Sequence, residues 1–352
     1  MTKSLLSKVS VSPQQGDTPA APRTRHPVGP GRFRRALRTV AIVACLPYLG
    51  LKVAWIAGSH IGIPSGSSLL EHRVTMAVGN SLTVLMDTAV IVLALLLTRP
   101  WGLRVPAWTL VFPVWVATGL LAPIMTVFPL HLLLRVFGVA VNKPSGTTGH
   151  RPFLDEWVFG VVYTGFIVQG LALGALFLFY ARDRWGYVWR GRTGELPPGS
   201  AGAARRTCAV MACVLALFPL VMHTMWAGGG TAGLNTGRVA DRDTDFHVLE
   251  ATYVCFALAA VAGVCLLTFR RGRRLRVAVP LALAWVGSGV VACWGGWMLL
   301  ASLTADVGDP ADRPTALMNL TYAGQMIVGF LLAALGARFI AGRSAGDPKR
   351  AA

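Results

Sequence analysis

Eight stretches of this chain each hold 20 or more consecutive, mostly apolar residues, at about 38–60, 74–98, 107–128, 156–180, 207–228, 247–269, 277–302 and 316–341. A helix of about 20 such residues, rising 1.5 Å per residue, crosses the ~30 Å hydrocarbon layer of a bilayer. A soluble core of this size would show amphipathic stripes instead. Charged residues are 14% of the chain, against about 25% in soluble domains. The pattern predicts an all-α, polytopic transmembrane helix bundle.

A net charge of +18 could suggest a nucleic-acid partner, but its distribution argues otherwise. Of 33 Lys and Arg, 25 fall in the N-terminal tail, the segments 99–106, 181–206 and 270–276, and the C-terminal end. The alternate loops carry Asp241, Asp243, Asp245, Asp306, Asp309 and Asp312. Basic loops stay cytoplasmic, so both termini are expected inside the cell membrane, with the lipid bilayer as partner and no nucleic acid. Residues 1–37 read as a disordered basic tail. The first apolar stretch begins too far along for a secretory signal, so it reads as a retained span. The six cysteines lie in or beside apolar stretches without metal or redox spacing.

The chain also repeats itself. PYLGLKVAWIAGSHIGIPSG (47–66) aligns with FPLVMHTMWAGGGTAGLNTG (218–237) at a shift of 171, pairing Trp55 with Trp226 and three glycines with three glycines. WVATG (115–119) aligns with WVGSG (285–289) at a shift of 170, and YTGFIVQG (163–170) with YAGQMIVG (322–329) at 159. Ordered matches in corresponding spans predict a tandem duplication of a four-helix unit. The units are 38–180 and 207–341, joined by a basic loop (181–206) and followed by a tail (342–352). An even number of spans gives both copies one orientation, with the first and fifth spans expected near the centre. The glycine ladder 58/62/66 and its copy read as close helix packing followed by a turn.

Polar residues inside the spans are the candidate site. Lys52, Asn80 and Tyr163 in one half and His223, Glu250 and Tyr322 in the other fall at one depth, about 10 Å from the outer surface. Asp87 lies deeper, on the helical face of Asn80 and Thr83, with Gln169 and Gln325 also mid-span. An ionised Asp in hydrocarbon costs ~2.5–3.5 kcal/mol on insertion scales, so Asp87 needs a partner, and Lys52 is the expected one, with His223–Glu250 as its counterpart. Plainer readings stand beside these: Lys52 as a snorkelling anchor, His223–Glu250 as one structural hydrogen bond, and the tyrosines, like most tryptophans, as interfacial aromatics.

No pair of the outward histidines has helical metal-site spacing, and no hydrolase, nucleotide or zinc motif occurs, so no metal, cofactor or catalytic residue is assigned. The run CLPYLGLKVAWIAGSHIG (45–62), followed by Pro64, resembles a motif in uncharacterised multi-pass membrane proteins of high-GC actinobacteria. That resemblance covers about a sixth of the chain and implies no activity. Three function classes follow from the residues. The leading one is a protein binding or transporting a small solute or lipid-like molecule through an outward-facing cavity between the repeats. The others are a membrane enzyme acting on a lipid or isoprenoid with His223 and Glu250 as acid and base, and a non-catalytic assembly or sensor subunit.

The charge pattern makes a direct prediction. In a cysteine-free background, single cysteines placed at 129–155 should react with an impermeant reagent from outside intact cells. Cysteines at 181–206 should react only after permeabilisation. Labelling of both segments from one side would overturn the topology.

Overall fold

A computed structural model describes residues 31–65, 67, 73–138, 154–196, 202–240, 242–304 and 310–345. Among them the chain is helical throughout: α1 (Arg32–Ile56), α2 (Arg73–Leu96), α3 (Trp108–Val136), α4 (Glu156–Trp185), α5 (Ala203–Ala227), the short α6 (Thr236–Ala240), α7 (Thr244–Thr268), α8 (Ala278–Thr304) and α9 (Ala316–Ala345). All but α6 are long and apolar enough to cross a membrane, and each matches one apolar stretch of the sequence. The protein is an integral, multi-pass membrane protein. The expected tail is shortened at one end, since α1 begins at Arg32; residues 1–30 of that tail lie outside the described residues.

The helices pack as two groups. In the first, α1 lies against α2 and α4, and α4 against α3; in the second, α5 lies against α7 and α9, and α8 fills the place between those two. The groups meet through α3 and α8, with α7 also touching α3. The expected central position of the first and fifth spans is therefore wrong: α1 and α5 flank the bundle, and the third and seventh spans join its halves. The cause is steric. A Cβ added at Gly119 would stand 2.3 Å from the Gly289 carbonyl oxygen, so glycines let these two backbones touch, as small residues do between membrane helices. Around that contact the Trp115 indole donates to Ser288 Oγ at 3.2 Å and the Trp294 indole donates to the Leu120 carbonyl at 3.3 Å.

The turns after α1 and α5 share one geometry. Trp55 donates its indole N–H to the carbonyl of Ile61 at 2.7 Å, and Trp226 donates to Ala232 at 3.0 Å. Gly58 and Gly229 each have φ +93°, and Gly62 and Gly233 have φ +73° and +80°, a region closed to most residues with a Cβ. Gly62 and Gly233 also dock on the last long helix of their own group: a Cβ on Gly62 would meet Val158 of α4 at 2.3 Å, and one on Gly233 would meet Leu317 of α9 at 2.4 Å. The expected turn is there at both places, whereas the packing made by Gly62 and Gly233 is that of a turn on a helix and not of helix on helix; Gly66 lies outside the described residues.

The two groups differ in how tightly they close. In the second, a Cβ at Gly263 would stand 2.4 Å from Ala284 N, one at Gly287 2.6 Å from Ala260 N, and one at Gly329 2.3 Å from Ala292 N. So α8 sits in backbone contact with α7 and α9. At the positions 170 residues earlier, Gly263, Gly287 and Ala260 are replaced by Leu93, Ala117 and Val90. These larger side chains hold α2 and α3 apart, and the two helices touch only sparsely.

At the basic end, the segment after α4 is docked rather than a plain loop. Thr193 N donates to Leu275 O at 2.9 Å and Val277 N to Gly191 O at 3.1 Å. Arg343 donates to the carbonyl of Arg190 at 3.1 Å, and Val188, Thr193 and Leu196 are buried.

Overpacking such a backbone contact typically costs about 1–3 kcal/mol. Gly263→Ala should therefore lower the thermal midpoint of the detergent-solubilised protein, whereas Gly174→Ala, with nothing within 4 Å of the added carbon, should leave it level or slightly higher. Equal losses for the two would overturn the contact argument.

Candidate functional site

The second-half polar residues form one closed cluster. His223 lies on α5, three residues before Trp226, so both point from the same face. Its Nδ1 is 2.5 Å from Glu250 Oε2 on α7 and its Nε2 is 3.0 Å from Gln325 Oε1 on α9. One imidazole thus ties three helices, and all three residues are buried. Trp226 and Tyr253 close around the ring at centroid distances of 5.4 and 5.3 Å. Tyr322 is buried in the same layer with Trp226, Met222 and Met318. Tyr253, three residues after Glu250 on one face of α7, was missed in the sequence; that spacing was the available signal. Its hydroxyl is buried with no hydrogen-bond partner among the described residues. The open space beside the cluster is about 10 Å³, at most the room one water requires.

At the corresponding place in the first half, Lys52 donates to Asn80 Oδ1 at 2.8 Å. Its ammonium also lies 4.9 Å from the Tyr48 ring centre and 5.0 Å from that of Trp55. Residues 48, 52 and 55 share one helical face, so the cation–π cage follows from their spacing. Tyr163 packs between Phe128 and Phe159 at 5.1 and 6.0 Å, apart from the lysine cage.

The expected Lys52–Asp87 ion pair is absent among the described residues; no contact within 4.0 Å joins them. The seven residues separating Asn80 from Asp87 are two helical turns, or ~10 Å, and Lys52 reaches only the nearer one. Asp87 is 5% exposed. Gln169 of α4 approaches its carboxyl closely enough to interact through hydrogen bonding, and its Oδ2 has no hydrogen-bond partner.

Asp87 and Gln169 both line a cavity of about 440 Å³ in the gap between α2 and α3. Tyr48 of α1, Thr83 of α2, Phe166 of α4 and Trp294 and Trp297 of α8 line it with them. The cavity is not enclosed, since two of its lining residues, Phe112 and Trp297, are 54% and 38% exposed. Its walls are otherwise aliphatic, and Leu93 and Ala117, the residues that keep α2 from α3, are among them. Of the nine candidate residues, Asp87 and Gln169 reach this cavity. Lys52 with Asn80, and His223 with Glu250 and Gln325, form two separate clusters, so the six-residue layer is not one site. Trp294 and Trp297 are exceptions to the reading of most tryptophans as interfacial, because they line this cavity.

Comparison with known protein families, characterised proteins and solved structures gave no match, so the resemblance seen in residues 45–62 gains no support there.

Removing one partner of a buried hydrogen bond leaves the other unsatisfied at a cost of about 1–3 kcal/mol, more for a charged group, whereas removing both is much milder. His223→Leu and Glu250→Gln should each destabilise the solubilised protein strongly, and the double variant should regain much of the loss. Additive losses in a thermal-unfolding cycle would show that the pair contributes nothing as a pair.

Proposed function

We propose that this is a cell-membrane protein that binds or transports a small apolar or lipid-like molecule, held in the cavity between α2, α3 and α8. The cavity carries the reading. Its volume of about 440 Å³ lies within the roughly 300–1,000 Å³ of small-molecule sites, and like them it combines apolar walls with few polar groups. Its rim lies in the gap between two membrane-length helices. A ligand therefore enters sideways from the bilayer, which replaces the outward-facing cavity between repeats with a lateral one. Trp294 and Trp297 still make it a site shared between the halves.

The wider architecture belongs to the same proposal. The chain is a tandem duplication of a four-helix unit, supported by the matched turns at Gly58 and Gly229 and their matched docking on Val158 and Leu317. Both termini are cytoplasmic, supported by the basic segments. The enzyme reading gains no support from His223 and Glu250, because about 10 Å³ of space beside them admits no lipid or isoprenoid.

Photolabelling tests the cavity. An alkyl-diazirine alcohol of a dozen or so carbons, given to the protein in nanodiscs, should label cavity residues such as Met86, Leu120 and Ile124 saturably. Ala117→Trp should abolish that saturable fraction without lowering the thermal midpoint. Labelling that rises linearly with probe, or that survives the tryptophan, would show only lipid contact.

A further inference from the structure

Asp87 is the feature of the cavity that an apolar ligand alone leaves unexplained. It is a buried carboxyl in a cavity whose walls are almost wholly carbon. Gln169 interacts with it, yet Oδ2 has no hydrogen-bond partner among the described residues. A buried carboxylate oxygen left unpaired is costly, so such groups are found paired, and within membrane spans they mark binding or ion pathways. Lys52 is near enough to attract the carboxyl through space, but it makes no direct contact with it, because its ammonium donates to Asn80 and lies over Tyr48 and Trp55. The remaining groups facing Asp87, namely Cys45 and Tyr48 of α1 and Thr83 one turn earlier on α2, carry no positive charge.

We infer that the cavity selects a lipophilic monocation, an ammonium head on an apolar body, with Asp87 as its counter-ion. The inference rests on the cavity reading above and adds the charge of the ligand. The surroundings suit that chemistry twice over. Phe112, Phe166, Trp294 and Trp297 bring aromatic rings to the lining, which attract cations when desolvated, and the aliphatic walls accept the body. The carboxylate supplies the directional term: the ammonium pairs with the Asp87 carboxyl, which lines the cavity beside Gln169. An anionic amphiphile would face the same carboxyl with like charge and be rejected. A neutral one would leave it unpaired.

Two photolabels test this, alike in their alkyl-diazirine chain and differing only in the head, one trimethylammonium and one hydroxyl. In nanodiscs of neutral lipid, the ammonium probe should half-saturate cavity labelling at a concentration at least tenfold below the alcohol. Asp87→Asn should erase that ratio while still taking up the alcohol, which also shows that the variant is folded; Asp87→Glu should keep part of it. Equal half-saturation of the two probes by the unaltered protein would overturn cation selectivity and leave the cavity reading standing, whatever the variants do. Preference that persists in Asp87→Asn would assign it elsewhere and equally overturn the inference. Saturable labelling by neither probe would remove the cavity reading and this inference together.

Discussion

Between helices in a bilayer there is no hydrophobic force, because lipid tails are as apolar as leucine; association depends on close backbone approach and polar contacts. In this protein the spacing of glycines decides which helices can make that approach. Gly263, Gly287 and Gly329 bring α7, α8 and α9 into backbone contact, and Gly119 with Gly289 does the same between the halves. Where Leu93, Ala117 and Val90 stand instead, the backbones remain apart and a cavity lies between them. The cavity is therefore not a packing failure at random. It is the consequence of side-chain volume at those few register positions, in a half whose remaining core of Ala41, Leu110, Val114, Leu173 and Leu176 is well buried.

The polar pairs follow the same division. Lys52 and His223 each stand three residues before a tryptophan that ties down the following turn, but the chemistry of Lys52–Asn80 and His223–Glu250 differs. His223 has an oxygen at both ring nitrogens and joins three helices. Lys52 faces a neutral amide and two aromatic rings, a setting that holds a cation without cancelling it. The first half thus keeps two ionisable groups, Lys52 and Asp87, out of direct contact and stacked along the bundle. The second half confines its own to one compact, occupied cluster.

Much of this was legible in the sequence, and the remainder was lost for identifiable reasons. Hydropathy located every span, because length and apolarity are local properties; the largest error at a helix end came in α3, which runs on through Pro129 to Val136. The His223–Glu250 contact followed from counting rise along each helix and from the internal sequence matches. Which helices meet did not, since almost every face of a membrane span is apolar and the moment that orients a soluble helix is missing. The failed Lys52–Asp87 pairing has the same root. Depth can be counted along one helix, but which of two polar groups a neighbouring side chain reaches depends on rotation and tilt. Tyr48 and Trp55 were readable as partners of Lys52 from their spacing, whereas Trp294 and Trp297 acquire meaning only once α8 is seen to wall the first-half cavity.

The position of α8 carries the last step. One side of it, through Gly287 and Gly295, lies against α7 and α9, and the other, through Gly289, against α3. It is thus held from three sides, by α3, α7 and α9. The opposite wall is α2, which is held mainly by α1 and only sparsely by α3 and α4. Local opening in proteins draws on segments with few buried contacts. A ligand entering or leaving the cavity would therefore displace α2 against a fixed α8. Asp87 sits on α2, the wall that would have to move, so a group pairing with it would also tie α2 to the rest of the bundle. Binding and closure would then be one event, with the carboxyl of Asp87 as the contact that couples them.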